Sequence, residues 1–152
     1  MRRKILIVDH DAKTLNFVSC SLEQGGYDVV TATNGLDGFR LAQEEGPALV
    51  VQGVMLPGMD GFELCHRLRS AAATAELPIM LLAPKDGESE RGTGQKAGAS
   101  AYLARPVAPD VLVETVGSLL GLNGTDQGDG AHSVQEHLRF VPGGVQRGER
   151  AQ

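Results

Sequence analysis

Five short apolar runs mark the chain, at 5–8, 27–30, 49–51, 79–82 and 102–103. Their apolar residues are contiguous rather than alternating with polar ones, the pattern of strands covered on both faces, as in a parallel sheet. Between them apolar positions fall at helical spacing. Leu15, Val18 and Leu22 stand at i, i+3, i+7, and Leu112, Val116, Leu119 and Leu120 at i, i+4, i+7, i+8. Helix start signals agree: Asp11 precedes the first helix, Asn34 the second, and Asp60, with Glu63 three residues on, the third. Gly25, Gly46 and Gly121 are placed as stops, and Pro109 suits the first turn of the last helix. Strand and helix alternate five times, which predicts an α/β doubly wound fold: a five-stranded parallel sheet with helices on both faces.

Two stretches depart from this regularity. "GESERGTGQKAGA", before Tyr102, carries Gly92 and Gly94, each costing about 1 kcal/mol against alanine inside a helix. A short, frayed or adaptable fourth helix is expected. Beyond Gly121 the chain turns glycine-rich and polar, with four acids against three bases, and we expect residues 122–152 to be mostly disordered. The folded domain is therefore expected to span residues 1–121, with a tail too short to form a DNA-binding output domain. Within the tail Val134, Leu138 and Val141 fall at i, i+4, i+7, room for one or two amphipathic turns over 132–140. His132 and His137, five apart, read as solvated rather than as a metal pair.

Composition narrows the function. With 152 residues, 41% of them hydrophobic, the chain can bury one domain's core. A net charge of −5 and a pI near 5.3 argue against a nucleic-acid surface. No run approaches the ~20 apolar residues of a membrane span. The start, "MRRKILIVDH", is too short in apolar residues for a signal peptide. A cytoplasmic protein is expected. Cys20 and Cys65 show no metal-ligand spacing and read as two reduced thiols in a packing layer.

In open parallel sheets the functional crevice lies beyond the carboxyl ends of the strands. Those ends here carry Asp9, His10 and Asp11 after the first strand, Gly53 after the third, Ala83 after the fourth and Arg105 after the fifth. The order of elements, with "KILIVDHD", "LPGMDGFELCHRLR" and "AYLARP", resembles the receiver domain of bacterial two-component response regulators over roughly residues 3–121. The resemblance implies a flavodoxin-like fold that accepts a phosphoryl group from a histidine kinase. The acceptor is an aspartate at the end of the third strand, with a magnesium ion alongside.

Carried over by position, that chemistry is missing its parts. The acceptor position, four residues before Pro57, is Gly53, and glycine offers no nucleophile. A register slip of one would present Gln52, whose amide is no nucleophile and whose side chain would turn to the other face. The second carboxylate of the acidic pair is replaced by His10, the hydroxyl after the fourth strand by Ala83, and the lysine after the fifth by Arg105. Magnesium wants oxygen ligands, usually with carboxylates among them. No bound magnesium or other cofactor is expected, and Asp9 and Asp11 remain only as a weak remnant of a metal site.

Arg105 keeps the charge as a planar fork and is expected to pair with Asp9 or Asp11; Asp9 is read as a partner for it rather than as a metal ligand, because a buried carboxylate needs a charge or donor. Asp11 reads as a helix cap. His10 could titrate near neutral pH, but a lone loop histidine is usually solvated. By the resemblance Tyr102 is the aromatic residue that swings between exposed and buried positions, and beside the small Ala83 it is expected to stay inward. Arg105–Pro106 matches the Lys-Pro step of the family, where the peptide is typically cis.

The sequence thus reads as a pseudo-receiver, not an enzyme and not phosphorylated. It would meet a signalling protein through its fourth helix, fifth strand and fifth helix, between Glu88 and Leu120. A homodimer through that face is compatible; a nucleic-acid or membrane partner is not expected. Two alternatives stay open: a phosphoacceptor using Asp11 or Asp60, and a small-ligand sensor using the vacated crevice. For the latter, "DHDAKT" follows the first strand where a glycine-rich phosphate loop would stand.

Overall fold

The computed structural model describes residues 2–84 and 88–121, without the side chains of 88–90. The expectations for 122–152, His132 and His137 included, lie outside the described residues. The elements are β1 (Lys4–Val8), α1 (Ala12–Gln24), β2 (Asp28–Ala32), α2 (Gly35–Glu44), β3 (Leu49–Gly53), α3 (Gly61–Ser70), β4 (Ile79–Ala83), α4 (Glu88–Ala97), β5 (Ala101–Ala104) and α5 (Pro109–Leu119), with a short 3₁₀ turn at Ala72–Thr74. The strands form one parallel sheet in the order β2-β1-β3-β4-β5. This is the doubly wound α/β architecture that the apolar pattern predicts.

Side-chain alternation splits the core into two layers. Ile5, Ile7, Leu49, Val51, Met80, Leu82 and Leu103 point to one face, where Val18 and Leu22 of α1 and Leu112 and Val116 of α5 cover them. Leu6, Val8, Val50, Ile79, Leu81 and Tyr102 point to the other, beneath Leu64, Cys65 and Leu68 of α3. Two-sided burial explains the unbroken apolar runs. β2, at the sheet edge, is the exception, and its register shifts from the predicted 27–30 to Asp28–Ala32, half exposed. An edge strand is covered on fewer sides, so its apolar run is a weaker guide to its ends.

The predicted caps form. Asp11 accepts the Thr14 amide at 3.1 Å, Asn34 the Asp37 amide at 2.8 Å, and Asp60 the Glu63 amide at 2.8 Å. Pro109 opens α5. One half-buried cation had no sequence signal: Arg69, late in α3, donates to the carbonyls of Ala75, Leu77 and Gly98 and to the Ser100 hydroxyl, tying α3 to the starts of β4 and β5. Of the two cysteines, Cys20 differs from expectation. Cys65 is fully buried, which pushes its thiol up to about 11, whereas Cys20 is exposed and takes no part in the packing layer. Both are free thiols.

The fourth helix is longer than its sequence suggests. It runs ten residues, as long as α2 and α3. The two glycines have opposite roles. A Cβ at Gly94 would stand 2.6 Å from Leu81 Cδ1 and 3.6 Å from the Tyr102 ring, so the missing side chain lets α4 lie close on the sheet. A Cβ at Gly92 would meet nothing within 4 Å. Gly92→Ala is therefore expected to stabilise the fold by about 0.5–1 kcal/mol through helix propensity alone. Gly94→Ala is expected to destabilise it by about 1–2 kcal/mol, because Leu81 is fully buried and has nowhere to go. Urea unfolding of the two single variants checks both signs.

Candidate functional site at the carboxyl edge of the sheet

Parallel strands deliver their carboxyl ends to one edge, and the five connections leaving it bring Asp9, His10, Asp11, Gly53, Ala83 and Arg105 together. Asp9 follows β1 and Gly53 ends the adjacent β3, with the same pleat parity. Asp9 is 6% exposed. Its Oδ1 accepts the Asp11 amide at 2.9 Å, and its Oδ2 lies 2.5 Å from where a Cβ on Gly53 would be. The Asp9 carboxylate thus fills the volume that a side chain at position 53 would need. Gly53 is closed over rather than open.

Gln52 faces the opposite layer, as the pleat requires. Its Nε2 donates to the Gly61 carbonyl at 2.7 Å, while the Gly61 amide donates to the Val54 carbonyl at 2.7 Å. These bonds clamp the end of β3 to the first turn of α3. A Cβ at Gly61 would strike the Gly53 carbonyl oxygen, so glycine is demanded there by the close approach. A register slip presenting Gln52 to the crevice is excluded.

Arg105 pairs with Asp11, not Asp9. Its Nη1 lies 3.9 Å from Asp11 Oδ2 and donates to the Thr14 hydroxyl, which in turn donates to Asp11 Oδ2 at 2.8 Å. Of the two expected partners Asp11 is the one used, because Asp9 is turned toward Gly53 while Asp11, at the start of α1, stands beside Thr14. Thr14 is the residue that sequence reasoning missed. Its position three residues after the cap was the available signal, since cap and N3 side chains meet in the first turn. The Thr14 hydroxyl, then its amide, hold the Asp11 carboxyl below the usual carboxylate range, with Arg105 a smaller contributor.

His10 is more than solvated. Its Nδ1 is 3.1 Å from the Met55 carbonyl, so that nitrogen carries the hydrogen, and it lies 3.8 Å from Asp9 Oδ1. The ring links the loops after β1 and β3. Ala83 is buried at the end of β4 and offers no hydroxyl. The Tyr102 ring is turned inward, 2% exposed, with the Arg91 guanidinium 5.7 Å from its centroid. The Arg105–Pro106 peptide is cis. Asp60 is an exposed cap at the start of α3.

These residues do not fit magnesium. Among the described residues no group of three or more His, Cys, Asp or Glu is placed to hold a metal ion. The two carboxylates nearest the crevice are committed: Asp9 to the Asp11 amide and Asp11 to Thr14. A hard cation that keeps several oxygen ligands at near-octahedral angles finds too few.

Because Asp11's carboxyl is lowered, its contribution to stability is complete above the unfolded value near 3.8 and is lost as pH falls through the folded value. Thr14→Val removes the largest cause. The Asp11 titration midpoint, followed by NMR of its carboxyl carbon, is expected to move up toward 3.8, and the urea unfolding midpoint at neutral pH to fall.

With the geometry in hand, comparison with known proteins is direct. Residues 5–117 match the response regulator receiver domain family. Protein PilH of Pseudomonas aeruginosa is 34% identical over 117 residues, a match covering 77% of this chain and 97% of that protein. The alkaline phosphatase synthesis transcriptional regulatory protein PhoP of Bacillus subtilis is 37% identical over 120 residues, 79% of this chain but 49% of PhoP. Among solved structures, the chemotaxis response regulator CheY4 of Vibrio cholerae superposes with a TM-score of 0.73 at 28% identity, covering 78% of this chain and 98% of that one. No helix among the described residues is long and apolar enough to cross a membrane. The chain belongs to the response regulator receiver domain family of two-component signalling.

Proposed function

We propose that this chain is a receiver domain that works without accepting a phosphoryl group, as a cytoplasmic protein-interaction module. The observation that carries the reading is Gly53 at the acceptor position with the Asp9 carboxylate lodged in the space of its absent side chain. Acyl-phosphate formation needs a carboxylate there. Ala83 has no hydroxyl to follow a phosphoryl oxygen, and Arg105 is held by Thr14 and Asp11. The usual link from phosphorylation to the Tyr102 ring is absent, and the ring is inward without it.

The interaction surface in this reading is α4, β5 and α5. Tyr102 under Arg91 anchors α4 to β5, and Gly92 leaves the helix with low intrinsic stability on a side where nothing packs. Such a helix is a segment that a partner can order at the cost of some affinity. Asp11 and Asp60 are both helix caps, which argues against either as a substitute acceptor.

Intact mass spectrometry after incubation with acetyl phosphate and magnesium tests the reading, with Gly53→Asp beside the native chain. We expect the native mass to stay unchanged and the variant to gain one phosphoryl group. The new side chain has only the flexible end of Asp9 to displace. A phosphorylated native chain would overturn the proposal, and peptide mapping would then show whether Asp11, Asp60 or another carboxylate is used.

A further inference from the structure

Helix α1 buries Val18 and Leu22 against the sheet. Its opposite face carries Lys13, Phe17, Cys20 and Gln24, at i, i+4, i+7, i+11, and all four are exposed. Phe17 is one of three large apolar residues exposed among those described, at 37%. Beside it lies a groove of about 520 Å³, with Pro84, Pro106 and Val107 as its other apolar walls. An aromatic ring thus stands at the rim of an apolar hollow, the character of a contact surface.

Charge decides what fits that face. Lys13 opens it and Glu23 closes it, about 15 Å apart along the helix. Both are exposed, and neither side chain has an ion-pair partner among the described residues. Arg2, near the end of α1, bonds the Glu23 carbonyl and pairs with Asp28. Asp11 and Arg105, also at the groove, are committed to each other and to Thr14.

A face with a cation at one end, an anion at the other and an aromatic ring between them is complementary to itself turned end for end. A second copy of α1, antiparallel across a two-fold axis, satisfies both charges and both rings at once, as an isologous contact requires. A partner surface of one charge sign would leave either Lys13 or Glu23 unmatched.

We propose that the chain forms a reversible homodimer through α1. With the two-fold axis level with Val18, Lys13 meets the partner's Glu23 at each end. The two Phe17 rings meet at the centre, each against the partner's Pro106 and the partner's Val107. Thirteen residues of helix make a small contact, of the transient class, and the dimer is populated only at high concentration. It leaves the α4–β5–α5 face free for a signalling partner.

Sedimentation equilibrium of the full chain in reducing buffer, between about 20 and 1,000 µM, tests this. The native chain is expected to pass from monomer toward dimer across that range, and Phe17→Asp to stay monomeric. Lys13→Glu is expected to weaken the dimer about tenfold, since it sets like charges against each other. Adding Glu23→Lys to it is expected to restore native affinity. Both changes are at exposed positions and suit the helix dipole, so the fold is retained while the contact is broken and remade. Cys20 and the partner's Cys20 would lie within about 12 Å. A bismaleimide of that span is expected to join them in the native chain and not in Phe17→Asp; Cys65 is fully buried and escapes. A native chain that is monomeric throughout would overturn the proposal. So would a dimer that survives Phe17→Asp, as one through α4–β5–α5 would, or a loss on Lys13→Glu that the charge exchange leaves unrestored.

Discussion

Neither face of β1, β3 and β4 meets water, and that constraint organises the rest of the molecule. Ile5 through Val8, Leu49 through Gln52 and Ile79 through Ala83 are all almost fully buried. Their backbone groups must pair within the sheet, since an unpaired buried amide costs about as much as a lost hydrogen bond. A parallel sheet meets the demand only if every connection crosses over through a helix. Polar side chains are thereby driven to the two edges. The carboxyl edge, where five connections leave the strands, is where Asp9, His10, Asp11 and Arg105 collect.

At that edge a neighbour occupies the space beside a residue without a side chain. With nothing at position 53, Asp9 turns its carboxylate into the gap and rests on the Asp11 amide. The Asp11 side chain serves Thr14 and Arg105, so the edge holds two side-chain networks joined through the Asp11 amide. The first network spans β1 and β3, where His10 reaches the Met55 carbonyl; the second ties α1 to the segment after β5. The carboxyl edge thus carries two structural cross-links. The match to the family extends across the domain, over residues 5–117.

The α4 region illustrates how packing overrides propensity. Two glycines in one helix are unfavourable in isolation, yet Gly94 is what allows the helix axis to approach Leu81 and Tyr102. Tyr102 is buried in the same layer, with Arg91 over its ring. Helix position, ring orientation and the small Ala83 are one packing solution, and changing any of them would disturb the others.

Much of this was legible in the chain. The apolar runs, the Asp and Asn cap signals, the Pro109 start signal and the order of elements are local, so periodicity and side-chain chemistry alone determined the fold class, the capped starts of α1, α2 and α3 and the proline-marked start of α5. The identities at 53, 83 and 105 were equally plain. What the chain could not display were contacts between residues far apart in sequence. That Asp9 fills the place of Gly53, that Arg105 chooses Asp11 through Thr14, that Arg69 ties two connections together, and that Gly94 is a contact while Gly92 is a weakness were decided only by tertiary structure. Each depends on which side chain occupies a shared volume once the sheet is assembled, and volume is settled by the fold, not by spacing along the chain.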